Sequence, residues 1–366
     1  MDPLPIVLFI AGIALLIVGA ESVVRGASHL ALAIGVSPLV VGLTVVAFGT
    51  SSPELAVSLS ASYGGQADLA VGNVVGSSIF NILIILGVSA LVAPLVVHQQ
   101  LVRFEVPLMI AAAALTLLLA LDGRIQRWEG LLLLLGILAY TWWAIRKSRS
   151  ESNEVRNEYE AKIIRRPVDP RNVALDLLLI VAGLGMLVLG SEWFTDGAVE
   201  IAQILGVSEL VIGLTIVAAG TSMPELATSV IAALRGERDI AVGNAVGSNL
   251  FNLLSVLGAS ALVSSGGLPV ADSALRFDLP VMVAVAVASL PIFFTGYVIT
   301  RANGLLFLAL YAAYTAYLLL DASGHDALDA YSTIMLGFIL PLIAILTLAN
   351  AARFYLVGRK NQNAGA

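Results

Sequence analysis

One passage of this chain is written twice. Val41-Gly-Leu-Thr-Val-Val-Ala-Phe-Gly-Thr-Ser-Ser-Pro-Glu54 returns 171 residues later as Ile212-Gly-Leu-Thr-Ile-Val-Ala-Ala-Gly-Thr-Ser-Met-Pro-Glu225. Asp68-Leu-Ala-Val-Gly-Asn-Val-Val-Gly-Ser-Ser-Ile-Phe-Asn81 returns at the same spacing as Asp239-Ile-Ala-Val-Gly-Asn-Ala-Val-Gly-Ser-Asn-Leu-Phe-Asn252. Carboxylates, hydroxyls and carboxamides keep their register, so the chain is an internal duplication and its fold must hold two equivalent units. The repeated polar groups lie in strongly apolar surroundings, the way a membrane protein builds a site for a bare cation.

Composition agrees with a membrane setting. Hydrophobic residues make up 59%, charged residues 12%, and the mean hydropathy is +0.96, an excess of apolar surface that a soluble fold of 366 residues could not cover. The chain has no Cys, which excludes disulfide scaffolds and thiolate chemistry, and His29, His98 and His325 are too scattered for a zinc enzyme. The net charge of −6 says little about partners. The N-terminus lacks the basic segment of a cleaved signal peptide and enters an apolar run at once, so it reads as a permanent first span.

Crossing about 30 Å of hydrocarbon takes roughly 20 residues of helix. Runs of that kind fall near 4–33, 38–63, 68–94, 104–121, 128–146, 173–205, 209–234, 240–264, 277–296, 302–320 and 331–357, eleven candidates in all. A charge-dense stretch from Arg146 to Arg171, with eight Lys/Arg, links the copies. The repeat reaches further than the motifs: Gly19-Ala-Glu21 matches Gly190-Ser-Glu192, Gly35-Val-Ser37 matches Gly206-Val-Ser208, and Arg103-Phe-Glu-Val-Pro107 matches Arg276-Phe-Asp-Leu-Pro280 with two residues inserted. The expected architecture is therefore an all-α polytopic membrane protein of two five-helix units. Residues 1–146 form the first unit, 147–172 a cytoplasmic linker and 173–320 the second unit. Residues 321–366 add one further helix and a tail. Five crossings are an odd number, which inverts the second unit relative to the first about an axis in the membrane plane.

Charge distribution sets the expected orientation. With the N-terminus outside, inner loops collect Arg103, the linker cations, Arg235, Arg238 and Arg301, and outer loops hold only Arg124, Arg127 and Arg276. Asp122, Asp321, Asp326 and Asp329 then lie outside, and Arg359 and Lys360 lie in the cytoplasm. The eleventh span has no counterpart in the first unit and reads as an appended peripheral helix with a packing or insertion role.

Glu54 and Glu225 fall inside predicted spans, where an ionised carboxylate costs at least about 2.5–3.5 kcal/mol. The bland alternative is a buried acid neutralised by a proton or by Arg25; two acids in duplicated contexts favour a paired function. Thr50 and Ser51 precede Glu54 by four and three residues and Ser77 precedes Asn81 by four, so each set shares a helix face. Thr221, Ser222, Glu225, Ser248 and Asn252 repeat the pattern. Pro53 and Pro224 each lack an amide hydrogen and free the carbonyls of Gly49 and Gly220, which at membrane depth must face protein or line a cavity. Oxygen donors without nitrogen or sulfur suit a hard cation such as Ca²⁺ or Na⁺. Ser and Thr in such helices also bond their own backbone. Asn73 and Asn244 could cap or bridge helices, and Gly72-x-x-x-Gly76 and Gly243-x-x-x-Gly247 read as close helix contacts. Among Glu21, Arg25, Glu192 and Asp196 on the first and sixth spans, Glu21 and Arg25 can neutralise each other at i,i+4.

At these residues the chain resembles the calcium/cation antiporter superfamily, most closely the prokaryotic sodium/calcium exchangers. Their two repeats carry Gly-Thr-Ser-x-Pro-Glu followed by Gly-Asn-x-x-Gly-Ser-x-x-Phe-Asn/Asp, and both are intact here, over about residues 4–320. The resemblance implies antiport by alternating access, with Na⁺ entering to expel Ca²⁺. It places the ion ligands on Thr50, Ser51, Glu54, Ser77 and Asn81, on Thr221, Ser222, Glu225 and Ser248, and on backbone oxygens at Ala47 and Ala218. The chain departs from many relatives at Asn252, where Asp is common; the missing acid argues against K⁺ dependence and bears on the central site. No resident cofactor is expected, because Na⁺ and Ca²⁺ are substrates. The expected surroundings are the lipid bilayer of the cell inner membrane, with no nucleic acid and no deducible protein partner. The alternatives are a proton-coupled Ca²⁺ exchanger, which Thr50-Ser51 and Thr221-Ser222 disfavour, an intramembrane hydrolase using both Glu, and a passive channel.

Overall fold

The computed structural model describes residues 3–150 and 170–364. The helices are α1 (Leu4–Ile34), α2 (Pro38–Thr50), α3 (Ser52–Tyr63), α4 (Ala67–Val92), α5 (Leu101–Ala120), α6 (Arg127–Ser150) and α7 (Pro170–Ile204), then α8 (209–220), α9 (Met223–Leu234), α10 (Arg238–Val263), α11 (Ala274–Phe294), α12 (Arg301–Ala322) and α13 (Leu328–Ala352). Two-residue strands β1 (Leu95–Val96), β2 (Arg124–Ile125), β3 (Leu268–Pro269) and β4 (Val298–Ile299) lie between them. Most of the expected linker falls on 151–169, outside the described residues.

The eleven expected spans need one correction. Among the described residues nine helices are long and apolar enough to cross a membrane, and the tenth candidate is the pair α2 and α3, bent by 45°. The expected continuous span at 209–234 is broken in the same place, leaving α9 as a shorter apolar helix. The breaks follow from the sequence. Pro53 and Pro224 stand near the first position of α3 and α9, where the missing amide is harmless, and they deny the preceding turn its hydrogen bond. Each carboxylate thus sits in the first turn of a half-helix, Glu54 in α3 and Glu225 in α9.

The two copies meet through reciprocal contacts. A Cβ on Gly12 would come within 2.8 Å of the Gly190 carbonyl, on Gly19 within 2.8 Å of the Gly183 carbonyl, and on Gly26 within 2.7 Å of the Asp176 carbonyl. The partners descend as the first series ascends, so α1 and α7, equivalent in the repeat, run antiparallel. Small residues permit this backbone approach. The strands repeat the exchange: β1 pairs with β4 (Leu95↔Ile299) and β2 with β3 (Arg124↔Pro269), each joining one copy to the other. π-helical turns are also shared, Gly42–Val46 with Gly213–Val217, Asn81–Ile85 with Phe251–Val256, and Leu101–Glu105 with Ala274–Asp278. The core centres on α4 and α10; residues 240–250 of α10 are all buried. α13 has no buried residue along 328–339 and leans on α11 from outside.

Candidate ion-binding site

The paired half-helices bring the two carboxylates into one network. Ser51 Oγ donates to Glu225 Oε1 at 2.8 Å, and its equivalent Ser222 Oγ donates to Glu54 Oε1 at 2.9 Å. Every partner is exchanged between copies, the reciprocity of a local two-fold. Ser222 Oγ also reaches Ser77 Oγ at 3.1 Å, which brings α4 to the same point. α3 packs on the turn containing Asn252, and α9 packs on the turn that begins at Asn81. Both Glu side chains are 0% exposed, and Ser51, Ser77, Asn81, Ser222, Ser248 and Asn252 are buried with them.

Several of these groups have oxygens to spare. Glu54 Oε2, Glu225 Oε2, Ser248 Oγ and both carboxamide ends of Asn81 and Asn252 are buried without a hydrogen-bond partner. Buried polar atoms are ordinarily satisfied; the unpartnered oxygens among these are free to join an oxygen cage for a desolvated cation, whereas the two Nδ2 groups are donors only. Among the described residues no group of three or more His, Asp or Glu forms a metal cluster, so the formal charge here rests on two carboxylates.

The carbonyls divide between the copies. Gly220 O is taken up by the Ser191 hydroxyl, so this freed oxygen faces protein. In the first copy the position equivalent to Ser191 is Ala20, which has no hydroxyl. Ala47 O accepts the Ser51 amide at 3.0 Å, and the Ser222 amide reaches Ala219 O at 3.1 Å, one residue short of Ala218. Ala47 and Thr50 are buried, Thr221 is partly buried and Ala218 is exposed.

Asn73 and Asn244 do bridge helices. Asn73 Nδ2 donates to Glu54 O (3.1 Å) and Ser58 Oγ (2.9 Å), and Asn244 Nδ2 to Glu225 O (3.2 Å) and Ser229 Oγ (3.0 Å). Ser58 and Ser229 were missed in the sequence, although a hydroxyl four residues after the Glu in both copies is a readable signal. Glu21 pairs with Arg25 as expected and, in addition, with Arg235 beyond the end of α9. The glycine motifs behave differently: Gly243 and Gly247 lie hard against α2, as expected, but Gly72 and Gly76 meet nothing within 4 Å.

Antiparallel equivalent helices around a buried, reciprocally bonded oxygen site define a secondary-transporter type of membrane protein. The sodium/calcium exchanger protein family model matches residues 4–146 and 175–320, once in each copy. The chain is 39% identical to inner membrane protein YrbG of Escherichia coli K12 over 76% of this chain and 86% of that one. It is 31% identical to sodium/calcium exchanger MaX1 of Methanosarcina acetivorans over 85% and 97%. Among solved structures, the sodium-calcium exchanger NCX_Mj soaked with zero Na⁺ and Ca²⁺ aligns with a TM-score of 0.74 at 32% identity, covering 86% of this chain and 99% of that one. The chain belongs to the sodium/calcium exchanger family, within the calcium/cation antiporter superfamily. Family and fold are those of transporters, which sets aside the intramembrane hydrolase.

Proposed function

We propose that this protein exchanges Na⁺ for Ca²⁺ across the membrane by alternating access, without K⁺, at the site between α2, α3 and α4 of one copy and α8, α9 and α10 of the other. The observation that carries the reading is the crossed pair Ser51 to Glu225 and Ser222 to Glu54, with the remaining carboxylate oxygens unpartnered. Thr50, Ser51, Glu54, Ser77 and Asn81, with Thr221, Ser222, Glu225, Ser248 and Asn252, supply side-chain oxygens, and Ala47 and Ala218 supply backbone oxygens.

Two ionised carboxylates balance one Ca²⁺ in formal charge, and the same oxygens divide among several Na⁺. Occupancy by one ion excludes the other. The empty dianionic site is costly to carry through hydrocarbon, so the halves rearrange only when loaded. The similarity to NCX_Mj and MaX1, both named as sodium/calcium exchangers, supports this ion pair. The distribution of Lys and Arg supports an N-terminus outside, with the linker and the C-terminus cytoplasmic; in that orientation α1 and α7 cross in opposite senses and the two copies are inverted.

The test is ⁴⁵Ca²⁺ uptake into proteoliposomes under imposed Na⁺, K⁺ and proton gradients in turn. Uptake driven by Na⁺ alone, and unchanged by K⁺, is expected. Uptake driven by a pH gradient without Na⁺ would assign the coupling to protons, and uptake that needs no opposing gradient would make the protein a channel.

A further inference from the structure

The hydrogen bonds of Asn73 and Asn244 have a direction fixed by chemistry. A backbone carbonyl can only accept, so the amide atom 3.1 Å from Glu54 O is Nδ2, and the same holds for Asn244 at Glu225 O. The second Nδ2 hydrogen goes to Ser58 or Ser229. Each Oδ1 is thereby turned toward the opposite copy, where it meets Thr221 Oγ1 at 3.3 Å and Thr50 Oγ1 at 3.1 Å. A carboxamide oxygen cannot donate, so in each of these two contacts the Thr hydroxyl is the donor. A Thr that gives its one proton to the Asn keeps only lone pairs for its other neighbours.

We infer that Asn73 and Asn244 are positioning residues for the transported cation: each draws the hydroxyl proton of the opposite copy's Thr onto its own carboxamide, leaving Thr221 and Thr50 as pure acceptors that face the ion. The inference rests on the reading above that both Thr contact the cation. The need is clearest at Thr50, whose hydroxyl also lies 3.1 Å from Val46 O and 3.4 Å from Ala47 O. Left to itself a helical Thr bonds its own backbone, here the Val46 carbonyl 3.1 Å away, which would hold the proton within its own helix. Asn244 competes for that proton from across the interface. The same amide ties the backbone of the carboxylate turn in its own copy to the hydroxyl ligand of the other, so the two halves are aligned through the site.

A double-mutant cycle tests this. Asn73→Ala, Thr221→Val and the double variant are purified, checked for monodispersity, and titrated for the Ca²⁺ concentration giving half-maximal Na⁺-driven uptake. Each single variant is expected to raise half-saturation about tenfold, with maximal rate less affected, and the double variant to resemble either single one, because the same ligand is lost. Multiplying effects would overturn the positioning role and leave Asn73 as a tie for Glu54 alone. An unchanged half-saturation in Thr221→Val would instead overturn the assignment of Thr221 to the cation. Asn244→Ala with Thr50→Val gives an independent cycle should Asn73→Ala fail to fold.

Discussion

The duplicated segments that flank the site have nearly the same sequence and different packing. In the seam between α2 and α10, a Cβ on Gly247 would come within 2.6 Å of Leu43 O and 2.8 Å of Ala47 Cβ, and one on Gly243 within 2.9 Å of Leu39 O. In the equivalent seam between α8 and α4, Gly213, Gly72 and Gly76 meet nothing within 4 Å. Val46 in the first seam is 0% exposed; its counterpart Val217 in the second is 50% exposed. Packed interfaces are bistable rather than continuously deformable. Two copies of one motif thus pack differently in one structure, one seam tight and one loose. The surroundings differ in kind as well. Glu21, Arg25 and His29 on α1 are matched against Arg235 and Asp176, whereas the equivalent positions on α7 are Glu192, Asp196 and Glu200, and the counterpart of Arg235 is Gly64.

The sharpest way to break the comparison is to fill the glycines. Gly247→Val must push backbone atoms apart, an overpacking cost of about 1–3 kcal/mol, and is expected to lower the melting temperature in detergent and open the tight seam. Gly76→Val has room and should leave the melting temperature unchanged, but if the seams exchange roles in transport the clash moves to turnover, with a loss on the order of tenfold in rate. Equal melting temperatures for the two variants would contradict the difference between the seams. Ser191→Ala leaves the buried Gly220 carbonyl without its donor and should destabilise by about 1–3 kcal/mol in thermal or denaturant unfolding; a hydroxyl added by Ala20→Ser should not make up the loss. The smallest effect is expected from Arg235→Gln. Partly exposed ion pairs contribute about 0–1 kcal/mol, so thiol labelling of a Val46→Cys reporter should rise by no more than about fivefold. The chain has no native Cys to obscure that signal.

Much of the site was legible because it is repeated. Thr50, Ser51, Glu54 and their counterparts are strings of oxygen in apolar sequence, and Pro53 and Pro224 announce the breaks that shorten the spans. Crossed bonding was not legible: that Ser51 serves Glu225 rather than Glu54 depends on how the copies dock. The π-helical turns at Asn81 and Asn252 escaped as well: an extra residue per turn shifts the phase of a helix face, but residues 79–86 and 250–257 are apolar nearly all round and carry no phase to shift. Gly72-x-x-x-Gly76 and Gly243-x-x-x-Gly247 show the firmest boundary. Their spacing is identical, and only one pair is in contact, because spacing permits a close approach and the docking of the copies decides whether it is made. Ser191 on Gly220 O is a private feature of the second copy: the repeat shows that Ser191 replaces Ala20 but not that its hydroxyl takes up a carbonyl.

The central claim is that Glu54 and Glu225 form one shared site rather than two independent ones. Na⁺-driven ⁴⁵Ca²⁺ uptake by Glu54→Gln, Glu225→Gln and the double variant tests it most directly. Each single substitution should abolish exchange as completely as the double; near-wild-type exchange in either single variant, in protein that remains folded and monodisperse, would contradict it.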